Sequence, residues 1–391
     1  MKQIFLFMVL LCMILSSSCD RPTAGYFVRD LDSIARKLVP DKREGVFDVR
    51  MYIKGKDMVL TGETDSREVK NAVVGFLKSK GVSYTDSLVV MPDTSEVKLP
   101  WGIVRISTCN IRASASHGAE MTTQAILGTP VRLLRYYKGW YYIQTPDLYL
   151  GWVDDDAIQP LREEMLNSWK SSDRVIFTGL FGQITDRPEN GKPVTDVCLG
   201  NIAVQTAKEG KYIKVLLPDG RTGYADESTW TNFRQWAVNA KPEFQGLFKT
   251  AVSMTGTPYL WGGTSVKGVD CSGFIKTVYF NNGLILSRDV SLMFPRGKVI
   301  DNFKNTDSLE PGDLLFFGSI RNGRPRATHV GMYAGNTEFI HSSGLVRINS
   351  LDSTRANFDS YRWKTFIGAR RVIGSETGRG LLPVSGHNWY F

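Results

Sequence analysis

The pattern of apolar and polar positions changes several times along the 391-residue chain, and each change predicts a different kind of domain. Between residues 19 and 98, "VFDVRMYIKG" and "DMVLTGET" alternate like strands, whereas "DSREVKNAVVGFLKSKG" has helical spacing. Val73 and Phe76 fall on its apolar face, and Gly81 follows as a stop signal. We therefore expect a small α/β domain here, with a packing or spacer role.

Short strands replace this pattern from residue 99 to residue 240. Turn signals recur at intervals of about 8 to 12 residues, which is typical of small all-β domains. A G-(T/N)-x-V motif and a later K-G-(W/K)-Y motif occur in both halves of the segment, so a diverged repeat is indicated. The pattern predicts two β-barrels, over 99–165 and 166–240.

The last large block, residues 241–375, begins with helical spacing and continues into strands. "VDCSGFIKTVYFNNG" predicts a helix that starts at Cys271 and ends near Gly283. "PGDLLFFGS" and "ATHVGMYAGNTEFIHSSG" predict strands, the second with its own hairpin. Residues 376–391 are left as a C-terminal tail.

The N-terminus "MKQIFLFMVLLCMILSSSCD" has a single Lys2 and an apolar run that is too short to span a bilayer. We expect a signal peptide over 1–18. Three serines leading into Cys19 resemble a bacterial lipoprotein signal, although Ser16 stands where leucine is usual. The expectation is an exported protein held on a membrane through lipid on Cys19, facing the periplasm or the cell surface, with plain secretion as the alternative.

Composition narrows the picture further. With 42% hydrophobic and 22% charged residues the chain is a folded globular protein, and its net charge of +9 is scattered without a basic stripe, so no nucleic-acid partner is expected. Removal of Cys12 and lipidation of Cys19 leave three cysteines, so at least one thiol stays free in an oxidising compartment. Cys109 and Cys198 lie in β-rich segments and read as core residues, which makes Cys271 the candidate free thiol.

Cys271 has two interpretations. Most free cysteines are small buried hydrophobes. A cysteine in the first turn of a helix is also placed as a nucleophile, because the helix N-terminus favours the thiolate and offers backbone amides to an oxyanion. A nucleophilic thiol further requires a base and a group that orients the base.

His329 and His341 supply those two groups if they share one face of the predicted hairpin. A three-residue loop, Ala334-Gly335-Asn336, would pair them directly, whereas a two-residue Gly-Asn turn would put them on opposite faces. We predict the first arrangement, with His341 orienting His329 through a hydrogen bond. One cysteine and two histidines could ligate zinc, but the C-x-x-C and H-x-x-x-H spacings are lacking, so no metal is expected.

"YLWGGTSVKGVDCSGFIKTVYF", "LEPGDLLFF", "THVGMYAGNTEFIHSS" and "FIGARRV" together resemble the NlpC-type cell-wall cysteine peptidases, a papain-like family. "CNIRASAS" and "GWYYIQ…YLGWV" are similar to bacterial SH3-like domains. The resemblance implies Cys271 as nucleophile, His329 as base, His341 as the polar third residue and Tyr259 near the oxyanion site. It implies neither a metal nor an organic cofactor.

The order of SH3-like domains and catalytic block resembles the γ-D-glutamyl-L-diamino-acid endopeptidases, which act on murein peptides with a free N-terminal L-Ala. The residues that the resemblance places at the substrate are Asp270, Glu120 and Tyr149 for the amine, with Ser272, Ser291 and Trp261 along the groove. Each has a plainer alternative: Asp270 as a helix cap, Glu120 as a solvated surface residue, Tyr149 as barrel core and Trp261 as packing.

The expected fold is therefore α+β and multidomain: a small α/β domain, two SH3-like barrels, and a papain-like domain whose cysteine-bearing helix packs on an antiparallel sheet. We expect a monomer that cleaves murein peptides. Two other functions stay open, an endopeptidase or amidase that acts on intact peptidoglycan and a non-catalytic wall-binding lipoprotein. The diamino acid, diaminopimelate or lysine, is not determined.

Overall fold

The computed structural model describes residues 25–375 and 377–391 and divides into two compact units. The smaller unit covers residues 25–40 and 46–90, and the larger one covers residues 41–45 and 91–391. The predicted signal peptide and Cys19 lie outside the described residues. The contacts divide the chain after Val90, and the limit of the first domain at residue 98 stays a prediction. No helix in the described ranges has the length and apolar character to cross a bilayer.

The smaller unit is an α/β fold, as its alternating and helical patterns predict. Strand β1 pairs antiparallel with β2, and β2 pairs parallel with β3. Ser66 caps the second helix, which buries Val69, Val73 and Leu77 before Gly81 ends it with a φ of 66°. Its elements are α1 (Val28–Leu38), β1 (Phe47–Lys54), β2 (Asp57–Thr64), α2 (Arg67–Ser79) and β3 (Thr85–Val90).

Two SH3-like domains open the larger unit, and their strand orders match. The first sheet runs β10-β4-β7-β8-β9-β5-β6; the second, taken from its other edge, runs β17-β11-β14-β15-β16-β12-β13. This correspondence confirms the predicted repeat. The strands are β4 (Trp101–Val104), β5 (Thr108–Arg112), β6 (Met121–Ile126), β7 (Pro130–Tyr137), β8 (Trp140–Gln144), β9 (Leu150–Asp154), β10 (Ile158–Leu161), β11 (Arg174–Phe177), β12 (Phe181–Thr185), β13 (Pro193–Cys198), β14 (Ile202–Glu209), β15 (Tyr212–Leu216), β16 (Thr222–Asp226) and β17 (Trp230–Asn232).

The third part of the larger unit is the papain-like domain, in which a buried helix packs on an antiparallel sheet of order β21-β26-β22-β23-β24-β25. This arrangement confirms the expected fold class. Its elements, with the two connecting helices, are α3 (Glu163–Ser171), α4 (Phe233–Asn239), α5 (Phe244–Ser253), β18 (Thr264–Ser265), β19 (Gly268–Val269), α6 (Cys271–Phe280), β20 (Leu284–Leu286), α7 (Val290–Met293), β21 (Lys298–Val299), β22 (Leu314–Arg321), β23 (Arg324–Gly335), β24 (Glu338–Ser343), β25 (Leu345–Ser350), α8 (Ser360–Thr365) and β26 (Phe366–Arg371).

The C-terminal tail is part of the fold. Its strand β27 (Leu381–Pro383) pairs antiparallel with β20, and Val384 and Tyr390 are buried among apolar side chains of the two SH3-like domains and α4. Cys109 and Cys198 are buried core residues, as predicted, and both are free thiols, as is Cys271.

Candidate active site

Helix α6 begins at Cys271, and Asp270 is its N-cap, accepting a 2.7 Å hydrogen bond from the amide of Gly273. The helix start is pressed against the preceding loop. A Cβ on Gly273 would meet the carbonyl oxygen of Gly263 at 1.9 Å, so only glycine fits there. Local packing of this kind fixes the position of the thiol.

The carboxylate of Asp270 is fully engaged within the protein. Arg288 donates to its two oxygens at 3.1 and 2.6 Å, the amide of Gly262 donates at 3.0 Å, and the hydroxyl of Ser272 donates at 3.3 Å. Arg288 also donates to Ser272 at 2.9 Å and, through Nε, to Thr123 of the first SH3-like domain at 3.0 Å. The plainer alternative for Asp270, a helix cap, is therefore what the structure contains, and Ser272 belongs to the same buried network. Their substrate roles stay predictions.

The two histidines meet as expected, but the predicted hairpin register is wrong. The turn is Asn336-Thr337, with positive φ at both residues, and the register slips by one residue at Ala334. His341 consequently lies opposite Gly331, and its Cβ would be 3.1 Å from a Cβ there. Because the bulge restores the alternation, His329 and His341 are diagonal neighbours on one face, and His329 Nε2 lies 2.8 Å from His341 Nδ1.

Asn349, which the sequence reasoning missed, fixes the protonation of both rings. Its side-chain nitrogen donates to the carbonyl oxygen of Asn357 at 3.0 Å, so its oxygen faces His341 Nε2 at 2.9 Å and accepts a hydrogen bond from it. His341 Nδ1 then accepts from His329 Nε2. This chain of hydrogen bonds leaves Nδ1 of His329 as the unprotonated, basic nitrogen.

Burial shifts the pKa of the thiol and the pKa of the imidazole toward their neutral forms. It raises the pKa of Cys271 to about 11, and the Asp270 carboxylate adds to the effect. It also lowers the pKa of His329 well below its usual value, with Arg362 and His341 contributing. Burial thus opposes the helix N-terminus, which favours the thiolate. The backbone amide of Val330, next to His329, lowers the pKa of the thiol, which indicates that the histidine strand lies near it.

Tyr259 lies beside the nucleophile. Its amide donates to the carbonyl of Gly344 at 2.9 Å, and its half-buried phenol has a pKa raised by burial and by the nearby Cys271 and Asp270. A protonated phenol at this point can donate a hydrogen bond to an oxygen that becomes negative during the reaction.

Two residues of the first SH3-like domain contact residues that flank helix α6 in the papain-like domain. Glu120 accepts a 2.7 Å hydrogen bond from the indole of Trp261, whose side chain is 62% exposed. Tyr149 is buried, which agrees with its alternative interpretation as a core residue of the barrel. Its hydroxyl nevertheless donates a 3.0 Å hydrogen bond to Asp289. The second oxygen of Asp289 accepts no hydrogen bond from any described residue and lies 4.0 Å from Arg288. Glu120 and Asp289 thus present carboxylate oxygens that can hold an ammonium group.

Arg43, from the segment between α1 and β1, was not foreseen as a site residue. It donates to Asp289 at 2.6 Å and to the hydroxyl of Ser291 at 3.1 Å, while Asp41 takes two further hydrogen bonds from it. The stretch "DKREG" contains no local pattern that signals a site, and only the tertiary fold brings it to the groove.

Comparisons with known proteins agree with this geometry. Residues 256–367 match the NlpC/P60 family, and residues 111–158 match the bacterial dipeptidyl-peptidase Sh3 domain. The "Probable endopeptidase NlpC" of Escherichia coli is 40% identical over 131 residues, which are 32% of this chain and 77% of that protein. The chain belongs to the NlpC/P60 family and is a cysteine peptidase.

Longer relatives include the SH3-like part. The "Dipeptidyl-peptidase 6" of Lysinibacillus sphaericus is 28% identical over 64% of this chain and 91% of its own length. The "Gamma-D-glutamyl-L-lysine dipeptidyl-peptidase" of Bacillus cereus is 25% identical over 70% of this chain and 81% of its own. A solved NlpC/P60 family structure from Bacillus cereus superposes with a TM-score of 0.59 at 22% identity, covering 70% of this chain and 99% of that one, and it supports the fold. Both of these curated relatives are named as peptidases.

Proposed function

We propose that this protein hydrolyses the bond between γ-D-glutamate and the diamino acid in murein peptides that begin with a free L-alanine. The observation that carries the proposal is the reach of the first SH3-like domain into the groove. Its Glu120 contacts Trp261, and its Tyr149 contacts Asp289. A desolvated ammonium requires carboxylate partners, and Glu120 and Asp289 supply them while Tyr149 holds the second in place.

In the proposed mechanism the thiol of Cys271 gives its proton to Nδ1 of His329 as the sulfur attacks the γ-carbonyl of D-glutamate. Tyr259 and the backbone amides at the start of α6 hold the oxyanion. His329 then protonates the departing amine of the diamino acid, which leaves a thioester on Cys271. Water, deprotonated by His329, hydrolyses the thioester and releases L-Ala-γ-D-Glu.

The relatives named γ-D-glutamyl-L-lysine dipeptidyl-peptidases support this choice of bond. An enzyme of intact peptidoglycan is the second candidate, favoured by the probable peptidoglycan endopeptidase LytE of Bacillus subtilis, 36% identical over 32% of this chain and 33% of that protein. Export and a lipid anchor on Cys19 belong to the same proposal and rest on the N-terminal sequence alone. Mass spectrometry of the intact N-terminal peptide from membranes tests them.

The function itself is tested with L-Ala-γ-D-Glu-meso-diaminopimelate, its lysine counterpart, and the N-acetylated form of each. We expect the free-amine peptides to be cleaved, the acetylated ones to be resistant, and Cys271→Ala to be inactive. Glu120→Gln should narrow the difference between free and acetylated peptides, whereas Glu164→Gln, on the exposed face of α3, should not. Equal cleavage of free and acetylated peptides contradicts the amine site and supports an enzyme of intact peptidoglycan.

A further inference from the structure

Arg362, on helix α8, has far fewer partners than its position calls for. A guanidinium has five N–H donors, yet the one side-chain hydrogen bond that Arg362 makes to a described residue runs from Nη2 to the hydroxyl of Ser343 at 3.3 Å. Its Nε is buried without a partner. Among the described residues no carboxylate oxygen lies within ion-pair distance of it. Burial lowers the pKa of the guanidinium, with Asp359 opposing.

Stacking on aromatic rings does not compensate for these missing partners. Arg174 and Arg370 also have buried nitrogens without partners, but their guanidinium groups lie 4.3 Å from the centre of the Trp169 ring and 4.2 Å from that of Phe294. Arg362 is 5.3 Å from the ring of Tyr361 and 5.8 Å from that of Phe317. These distances approach the limit of about 6 Å for an effective cation–π contact.

Arg362 lies at the reacting groups. The ring of Phe317 that it approaches also contacts His329, with 5.8 Å between ring centres. Ser343, its hydrogen-bond partner, ends the strand that carries His341. The charge of Arg362 lowers the pKa of both histidines. In turn, Cys271 and Tyr259 raise the pKa of Arg362, which places it near all four groups. Tyr149, at the amine end of the groove, interacts instead with Arg43 and Arg288.

A half-buried cation with few partners beside Cys271 is a site for an anion, since a guanidinium that is partly shielded from water gains most from a carboxylate that reaches two of its donors. Resting on the function proposed above, we propose that Arg362 binds a substrate carboxylate next to the scissile bond and so determines specificity. Such peptides carry two carboxylates at this point, the α-carboxylate of D-glutamate and that of the diamino acid. Either carboxylate could pair with the guanidinium in the same way. Peptides amidated at one or the other show which of the two Arg362 binds.

The test compares three peptides on the wild type and on Arg362→Gln: the parent, the D-isoglutamine form and the form amidated at the diamino acid α-carboxylate. One of the two amidations should lower kcat/KM of the wild type about tenfold or more relative to the parent peptide. In Arg362→Gln, the ratio of kcat/KM for the parent peptide to kcat/KM for that amidated peptide should approach one. Lys364→Gln, which removes a charge from the same helix, should retain the wild-type ratio. If both amidation ratios are unchanged in Arg362→Gln, the proposal is wrong, because a merely structural role slows all three peptides alike.

A second measurement needs no peptide and separates failure of this proposal from failure of the proposed function. Iodoacetate and iodoacetamide alkylate the same thiolate, with loss of iodide, but only the first is an anion. Their rate ratio at Cys271 cancels any change in the thiolate population. The ratio should fall about tenfold in Arg362→Gln relative to the wild type and Lys364→Gln. An unchanged rate ratio would contradict an anion site at Arg362, even if the γ-glutamyl peptides are cleaved. A fall in the rate ratio without any peptide cleavage would support the anion site and contradict the proposed substrate.

Discussion

The two arginines on either side of Cys271 differ in how many hydrogen bonds they make within the protein. On the Asp270 side, Arg288 is 1% exposed and donates hydrogen bonds to Thr123, Asp270 and Ser272. On the histidine side, Arg362 is only half-buried and makes one long side-chain hydrogen bond to the described residues. A guanidinium whose three nitrogens all donate within the protein stabilises the fold, whereas one with a single long hydrogen bond near Cys271 is available to a ligand.

The largest difference between the two sides should appear in stability. Arg288→Met leaves Asp270 buried without its cation, and we expect a loss of about 3 to 5 kcal/mol in the free energy of unfolding. Arg362→Met removes no ion pair and should change that free energy by less than about 1 kcal/mol. Urea unfolding, followed by the fluorescence of the tryptophans, measures both. Equal losses would show that the two arginines play the same structural role.

The histidine side should also respond to acid. Burial lowers the pKa of His341 to about 4, below its ordinary value of 6.5. As the pH falls from about 6.5 to 4, the unfolded chain takes up a proton that the folded one does not, so the protein loses stability over that range, by about 3 kcal/mol for this residue. His341→Gln should flatten the pH dependence of the unfolding midpoint, and the exposed His117→Gln should leave it as it is. A wild-type midpoint that is constant between pH 6.5 and 4 would contradict a buried neutral pair.

A smaller effect should come from the residue that fixes the histidine tautomers. Asn349→Leu removes the acceptor of His341 Nε2, and we expect kcat to fall about tenfold with little change in KM. Asn357 takes part in the same network through its backbone oxygen, so Asn357→Ala should keep most of the activity. A tenfold loss in Asn357→Ala and none in Asn349→Leu would reject the proposed hydrogen-bond chain.

Patterns within a single segment were predictable from the sequence. The helix that begins at Cys271 and the strands that carry His329 and His341 follow from local periodicity and stop signals. The hairpin register was not predictable, because a one-residue bulge at Ala334 depends on backbone angles that glycine, asparagine and threonine can adopt in more than one combination.

Contacts between residues distant in the sequence were also not predictable, because no local pattern indicates them. Arg43 is 246 residues from Asp289, and nothing near either residue indicates that they pair. The competing roles of Asp270 could be stated but not decided, because the deciding fact is the number of donors that converge on its carboxylate. Sequence reasoning therefore located the residues that carry a local signal, such as Cys271 and the two histidines, better than the distant residues that contact them.

The central claim, covalent catalysis by Cys271 on a γ-glutamyl group, is tested most directly by trapping the intermediate. The γ-(p-nitrophenyl) ester of L-Ala-D-Glu has a leaving group good enough to make hydrolysis of the thioester the slow step, so a burst of p-nitrophenol should precede steady turnover. We expect acid-quenched protein to carry the L-Ala-γ-D-Glu acyl group on the peptide that contains Cys271. Turnover without a burst and without an adduct, or an adduct on another residue, would contradict the account.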